Sequence, residues 1–135
     1  MIMEEFNLAN FKNAPFIELD DYKAPDGIKS YFVMMDDNIK LRVCHWINEK
    51  KVCKGTILLQ QGHNEFIEKY FETIQEFLDR DYSVISFDWR GQGMSDHQIE
   101  DTHKAFIKDF NRHDKDLEYI LEKIIHNNFP KPLIG

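Results

Sequence analysis

The chain has 135 residues, with 17 lysines and arginines against 24 aspartates and glutamates, a formal charge of −7. That sign excludes a nucleic-acid binder, which needs clustered cations to displace the counterions condensed on phosphate, and it excludes a polybasic membrane anchor. Hydrophobic residues make up 42% and charged residues 30%, enough apolar material for a core and too little charge for disorder. No apolar run approaches the roughly 18 residues of a spanning helix. The acidic start Met1-Ile2-Met3-Glu4-Glu5 lacks the basic flank of a signal peptide. The expectation is a soluble cytoplasmic domain, or one peripheral to a membrane.

Residues 1–27 mix acids with Pro15, Pro25 and Gly27 and read as an irregular arm. Residues 28–135 read as the domain. Residues 28–35 and 39–47 are rich in Ile, Val, Tyr and Phe and flank the polar turn Asp36-Asp37-Asn38, which predicts a β-hairpin. Residues 55–60 hold the apolar run Thr56-Ile57-Leu58-Leu59 expected of a strand buried on both faces. Phe66, Ile67, Tyr70, Phe71, Ile74, Phe77 and Leu78 then recur at helical spacing, with Asn64 as the expected N-cap and Glu65 and Glu68 near the positive end of the dipole. Residues 82–87 form another short β-type run. Apolar positions return at helical spacing over residues 105–126, at Phe106, Phe110, Leu117, Ile120, Leu121, Ile124 and Ile125. Phe129-Pro130-Lys131-Pro132 stops that helix, and Leu133-Ile134 opens one more strand.

A hairpin followed by β-α-β-α-β predicts an α/β fold with a mostly parallel sheet and helices on its faces. Ligands in such sheets bind where the loops leave the carboxyl ends of the strands. Two loops sit there, at residues 61–65 and 88–96. Gly91-Gln92-Gly93 fails as a dinucleotide fingerprint because Asp96 replaces the third glycine, so these glycines serve a tight turn. Gly93-Met94-Ser95-Asp96-His97 misses the nucleophile elbow because His97 stands where its second glycine belongs. Ser95 is expected to brace the turn. Asp88 and Arg90, opposite charges two residues apart, are expected to brace the loop rather than to do acid–base work. Gln61-Gly62-His63 lies before a helix, where backbone N–H groups can face an anion or a developing oxyanion; a purely structural turn has equal claim.

Cys44 and Cys53 fit no metal or redox spacing, and Cys44, in an apolar strand, reads as a buried small hydrophobe. The six histidines contain no His-x-x-x-His pair, so no zinc site is expected. No cofactor is implied.

Three stretches together resemble the α/β-hydrolase fold, and more narrowly the lysophospholipase and monoacylglycerol lipase group of serine hydrolases, bacterial lysophospholipases above all. They are Gly55-Thr56-Ile57-Leu58-Leu59-Gln60-Gln61-Gly62, then Asn64-Glu65-Phe66-Ile67-Glu68-Lys69-Tyr70-Phe71-Glu72, and Phe87-Asp88-Trp89-Arg90-Gly91-Gln92-Gly93-Met94-Ser95-Asp96. The resemblance covers roughly residues 28–135 and implies one oxyanion-hole N–H at His63, after a pair that is His-Gly in the family and Gln61-Gly62 here. It implies structural roles in the second loop for Asp88, Arg90, Gly91, Gly93 and Ser95, and it matches Asp116-Leu117 to the helix before the fifth strand. It aligns Gly135 with the first glycine of the nucleophile elbow, so the serine, acid and histidine of the triad are expected to be missing from this chain, which would be inactive alone. The implied partner is a lipid ester, lysophospholipid or monoacylglycerol, once a C-terminal half completes the fold. The alternative is a non-catalytic half-domain that binds a partner or a complementing chain.

Overall fold

The computed structural model describes residues 11–50, 52–62, 64–97, 110–126 and 128–135, with backbone alone at 110 and 111. Strands β1 (Lys29–Met34) and β2 (Lys40–Trp46) form the expected hairpin, antiparallel with Ser30 opposite Cys44 and Val33 opposite Leu41. Asn38 turns the corner at a φ of 67°, a left-handed conformation that asparagine tolerates. After β3 (Gly55–Leu59), a 3-10 turn at Ile67–Tyr70 leads into α1 (Phe71–Asp79). β4 (Tyr82–Phe87), α2 (Phe110–Ile120), a π turn at Leu121–Ile125 and β5 (Leu133–Ile134) complete the order. The elements match the α/β reading.

The sheet runs β1-β2-β4-β3-β5. It is mixed: β2 is antiparallel to β1 and β4, whereas β3 lies parallel to β4 and β5. Side chains alternate across a strand, so β2 sends Leu41 and Val43 to one face and Cys44 and Trp46 to the other. On the first face Ile120 and Ile124 of the second helical segment pack with Tyr31, Val33, Ile85 and Phe87. On the second face Phe71 and Ile74 of α1 pack with Trp46, Ile57 and Val84. Each such fully buried side chain is worth about 1.5–3 kcal/mol relative to exposure, so the two helices hold opposite faces of one sheet.

Residues of the arm are stitched to this sheet. Phe32 N donates to Lys12 O (2.9 Å) and Ala14 N to Ser30 O (3.0 Å), which covers part of the β1 edge that would otherwise invite pairing with another chain. Further along, Trp46 Nε1 donates to Pro25 O (3.1 Å) and Tyr22 OH to Glu68 O (2.7 Å).

The first helical segment starts differently from the expectation. Asn64 is not its cap: its φ is 61°, and the 3-10 turn opens at Ile67 without a side-chain bond from the residue before it. Its Ile67 N–H donates instead to Asp88 Oδ1 at 3.0 Å. A carboxylate 21 residues away takes the role of a local cap.

Candidate functional site

Because β3 and β4 run parallel, the loops that follow them share one rim of the sheet. The Gln61 side chain is fastened beneath this rim, its Nε2 donating to Phe87 O (3.0 Å) and Ser86 Oγ (3.3 Å), while Trp89 Nε1 donates to Gln61 O (3.1 Å). Gly62 N–H donates to Glu65 Oε1 at 2.6 Å. Glu65 also accepts from Lys69 Nζ (2.7 Å) and Tyr70 OH (2.6 Å). Lys69, Tyr70 and the Gly62 amide together hold the Glu65 carboxyl down at about 2. A Cβ at position 62 would lie 2.6 Å from Glu65 Oε1, so a side chain there would make the Glu65 carboxylate move. His63, the expected oxyanion donor, lies outside the described residues.

Under the rim lies a charged group that is almost fully withdrawn from water. Arg42 of β2 is 0% exposed and grips Glu68 with both terminal nitrogens at 2.6 Å, and it stands 2.7 Å from Asp88 Oδ2. The excess negative charge is met by backbone amides: Ile17 N donates to Glu68 Oε2 (2.9 Å), and Ile67 N (3.0 Å) and Met94 N (2.9 Å) donate to Asp88. Burial pushes the Glu68 carboxyl up, but the bonds from Arg42 and Ile17 reverse this and hold it below its ordinary value. Burial raises Asp88, against the pull of Arg42 and the two amides. Such geometry suits positioning rather than proton transfer.

The second loop folds back onto this group. Gly93, at a φ of 54°, lies so close to Asp88 that a Cβ would meet the carboxyl carbon at 2.4 Å. Ser95 Oγ donates to Asp88 O (2.6 Å) and accepts from Arg42 N (2.8 Å). Asp96 extends the contact with β2: its N–H donates to Lys40 O and its side chain accepts from Lys40 N, both at 2.8 Å. Gly91 turns at a φ of 79° in open space.

Asp88 and Arg90 do not brace each other. Arg90 points to α2 and the hairpin, where it forms a bidentate pair with Asp116 (2.7 and 2.9 Å) and a second with Asp37 (2.8 and 3.1 Å). Arg112 adds bonds to Asp116 (3.2 Å) and to Asp36. Arg90 holds the Asp37 carboxyl below its usual range. The loop is therefore anchored at two separate points. Arg42 and Arg112 escaped the sequence reading, and Glu68 and Asp37 entered it only as helix-start and turn residues; the available signal was Arg42, a charge inside an otherwise apolar strand, which has to find a partner.

Three of the four serines are hydrogen-bonded to the backbone, and the fourth, Ser30, carries a buried Oγ in β1. Ser83 Oγ accepts from Asn48 N (2.8 Å), Ser86 Oγ donates to Leu59 O (2.8 Å), Ser95 is held as above, and Ser30 lies opposite Cys44. Burial pushes the Cys44 thiol up to about 12, leaving it without thiolate character at neutral pH. His45 is buried with Nδ1 2.7 Å from Tyr31 OH, and burial pulls its pKa down to about 4. Among the described residues no group of three or more His, Cys, Asp or Glu could hold a metal ion, and no helix is long and apolar enough to cross a membrane.

Residues 51–135 match the family described as serine aminopeptidase, S33. The chain belongs to this α/β-hydrolase family. A probable lysophospholipase L2 of Haemophilus influenzae is 32% identical over 87 residues, which cover 64% of this chain and 27% of that protein. The chain thus spans well under two thirds of the curated relative it matches. A probable hydrolytic enzyme from Pseudomonas aeruginosa superposes with a TM-score of 0.54 at 23% identity, covering 77% of this chain and 31% of that one. A soluble variant of monoglyceride lipase from Saccharomyces cerevisiae superposes with a TM-score of 0.56 at 20% identity, covering 85% and 35%. At these identities the two structures establish the fold, an α/β-hydrolase sheet represented in part.

Proposed function

We propose that this chain is the front part of a lysophospholipase-type serine hydrolase that cleaves carboxylic esters of lysophospholipid or monoacylglycerol, with residues 1–27 as its arm and 28–135 as a partial domain running up to the nucleophile elbow. The observation that carries the reading is the rim loop after β3. Glu65 takes the Gly62 N–H, and the donor to the developing oxyanion is assigned on this reading to the next amide in sequence, that of His63. Gln61, Gly62, Asp88, Arg90, Gly91, Gly93 and Ser95 shape the loops that support it and touch no substrate. The named relatives, a probable lysophospholipase and a monoglyceride lipase, support the substrate class.

On this reading the nucleophile lies outside these residues, in keeping with Ser83, Ser86 and Ser95 being hydrogen-bonded to the backbone and with Ser30 Oγ being buried in the strand pair. Loss of a nucleophile costs on the order of a millionfold in turnover, and one oxyanion donor does not restore it. The chain alone is expected to hydrolyse no ester. A fluorophosphonate probe checks this: no labelling is expected, and stoichiometric labelling of the chain would overturn it. Co-expression with a segment corresponding to the remainder of the related lysophospholipase is expected to recover esterase activity.

A second reading, a non-catalytic half-domain that binds a partner, draws on β5. This strand lies at the end of the sheet order, and Leu133 and Ile134 are 41% and 39% exposed. A stable complex with the added segment that shows no esterase activity would favour it.

A further inference from the structure

We infer that an open groove along the β1 side of the sheet is a binding site for a single-chain carboxylate, the long-chain acid that ester hydrolysis releases. The groove has a volume of about 530 Å³, within the roughly 300–1,000 Å³ of ligand sites. Phe32 and Met34 give it an apolar floor on one face of β1, and Tyr119 and Ile124 reach it from the Val33 face around the edge of the strand. Met34 is 48% exposed there.

The lips are cationic. Lys12, Lys40 and Lys123 line the groove, and no acid does so among the described residues. In a chain of charge −7 that is a local inversion of sign. None of the three lysines enters an ion pair among the described residues. Lys40 Nζ stands 5.1 Å above the Phe32 ring, so a cation is held against the apolar floor itself. An anionic head with a hydrocarbon tail satisfies both features at once. Neither a neutral chain nor a hydrophilic anion does.

The choice of a carboxylate rests on the proposed ester hydrolysis, but the test needs no turnover, so the two can fail separately. The full chain carrying methyl-labelled methionine is titrated with decanoate below its aggregation concentration. The Met34 methyl resonance is expected to shift saturably, while that of Met94, which lies in the loop after β4, stays in place. Octanoate, two methylenes shorter, is expected to bind about 15-fold more weakly, since each buried methylene contributes about fourfold. Decyltrimethylammonium and decanol are expected to bind at least tenfold more weakly than decanoate. Lys12→Glu/Lys123→Glu, two exposed changes outside the rim loops, is expected to weaken decanoate at least tenfold with the Met94 resonance unmoved. Equal binding of all three head groups overturns the proposal. So does a shift of both methionines together, or saturation only with anionic vesicles. Decanoate binding seen only after removal of residues 1–10 would assign the groove to the chain's own N-terminus and also overturn it.

Discussion

Two arginine–carboxylate groups hold the loop after β4, and they solve the same electrostatic problem in different ways. Arg42 faces Glu68 and Asp88, and Arg90 with Arg112 faces Asp36, Asp37 and Asp116. Each group carries one more negative charge than positive. In the first, the surplus is buried and is neutralised by N–H groups of Ile17, Ile67 and Met94. In the second, burial is graded, from Asp116 at 0% side-chain exposure through Asp37 at 37% to Asp36 at 66%, and solvent carries the surplus. A buried network fixes geometry at the cost of fragility. A graded one tolerates change.

The largest effect is expected at Arg42. Arg42→Met leaves two carboxylates in the interior without their cation and is expected to cost about 3–5 kcal/mol, read as a lowered urea midpoint. If the loss were below about 1 kcal/mol, the buried group would be no different from the graded one.

A titratable group whose burial dominates its titration sharpens the contrast. His45 is 1% exposed, and its pKa is lowered to about 4 from 6.5. Between those values the unfolded chain binds a proton that the native chain does not, so stability falls as pH falls from about 6.5 to 4. The full loss is about 3 kcal/mol. Urea titrations across this range are expected to show it, and His45→Gln is expected to flatten the slope. Glu68, lowered in the fold, adds its own acid loss below its ordinary value of 4.5.

Glycine exchanges probe the two halves of the loop. Gly93→Ala forces a Cβ against the Asp88 carboxyl at a positive φ and is expected to cost at least about 2 kcal/mol. Gly91→Ala meets only open space and is expected to cost about 1 kcal/mol from conformation alone. Thermal melts of the pair should separate by several degrees. The smallest effect belongs to Asp36→Asn, at the exposed end of the graded group. Less than about 0.5 kcal/mol is expected, vanishing in high salt; a larger loss would mean that solvent does not carry the surplus there.

Local periodicity made the elements legible. The five strands and the apolar stripes at Ile74, Ile120 and Ile124 follow from spacing, because burial of one face repeats with the geometry of the backbone. The start of the first helical segment was not legible, because its cap is Asp88 from another strand end rather than Asn64. The partners of Asp88 and Arg90 were not legible either. Two residues apart in sequence, they leave the strand end in opposite directions, one to β2 and one to α2.

By itself, then, the sequence determined the alternation of strands and helices, the two candidate loops and the hydrolase resemblance, all properties of residues close together in the chain. Tertiary structure decided that β4 lies between β2 and β3, that Arg42 meets carboxylates 26 and 46 positions away, and that Asp88 caps the turn at Ile67. A charge in a low-dielectric interior takes whichever opposite charge the packing brings within reach, and spacing along the chain carries no record of that choice.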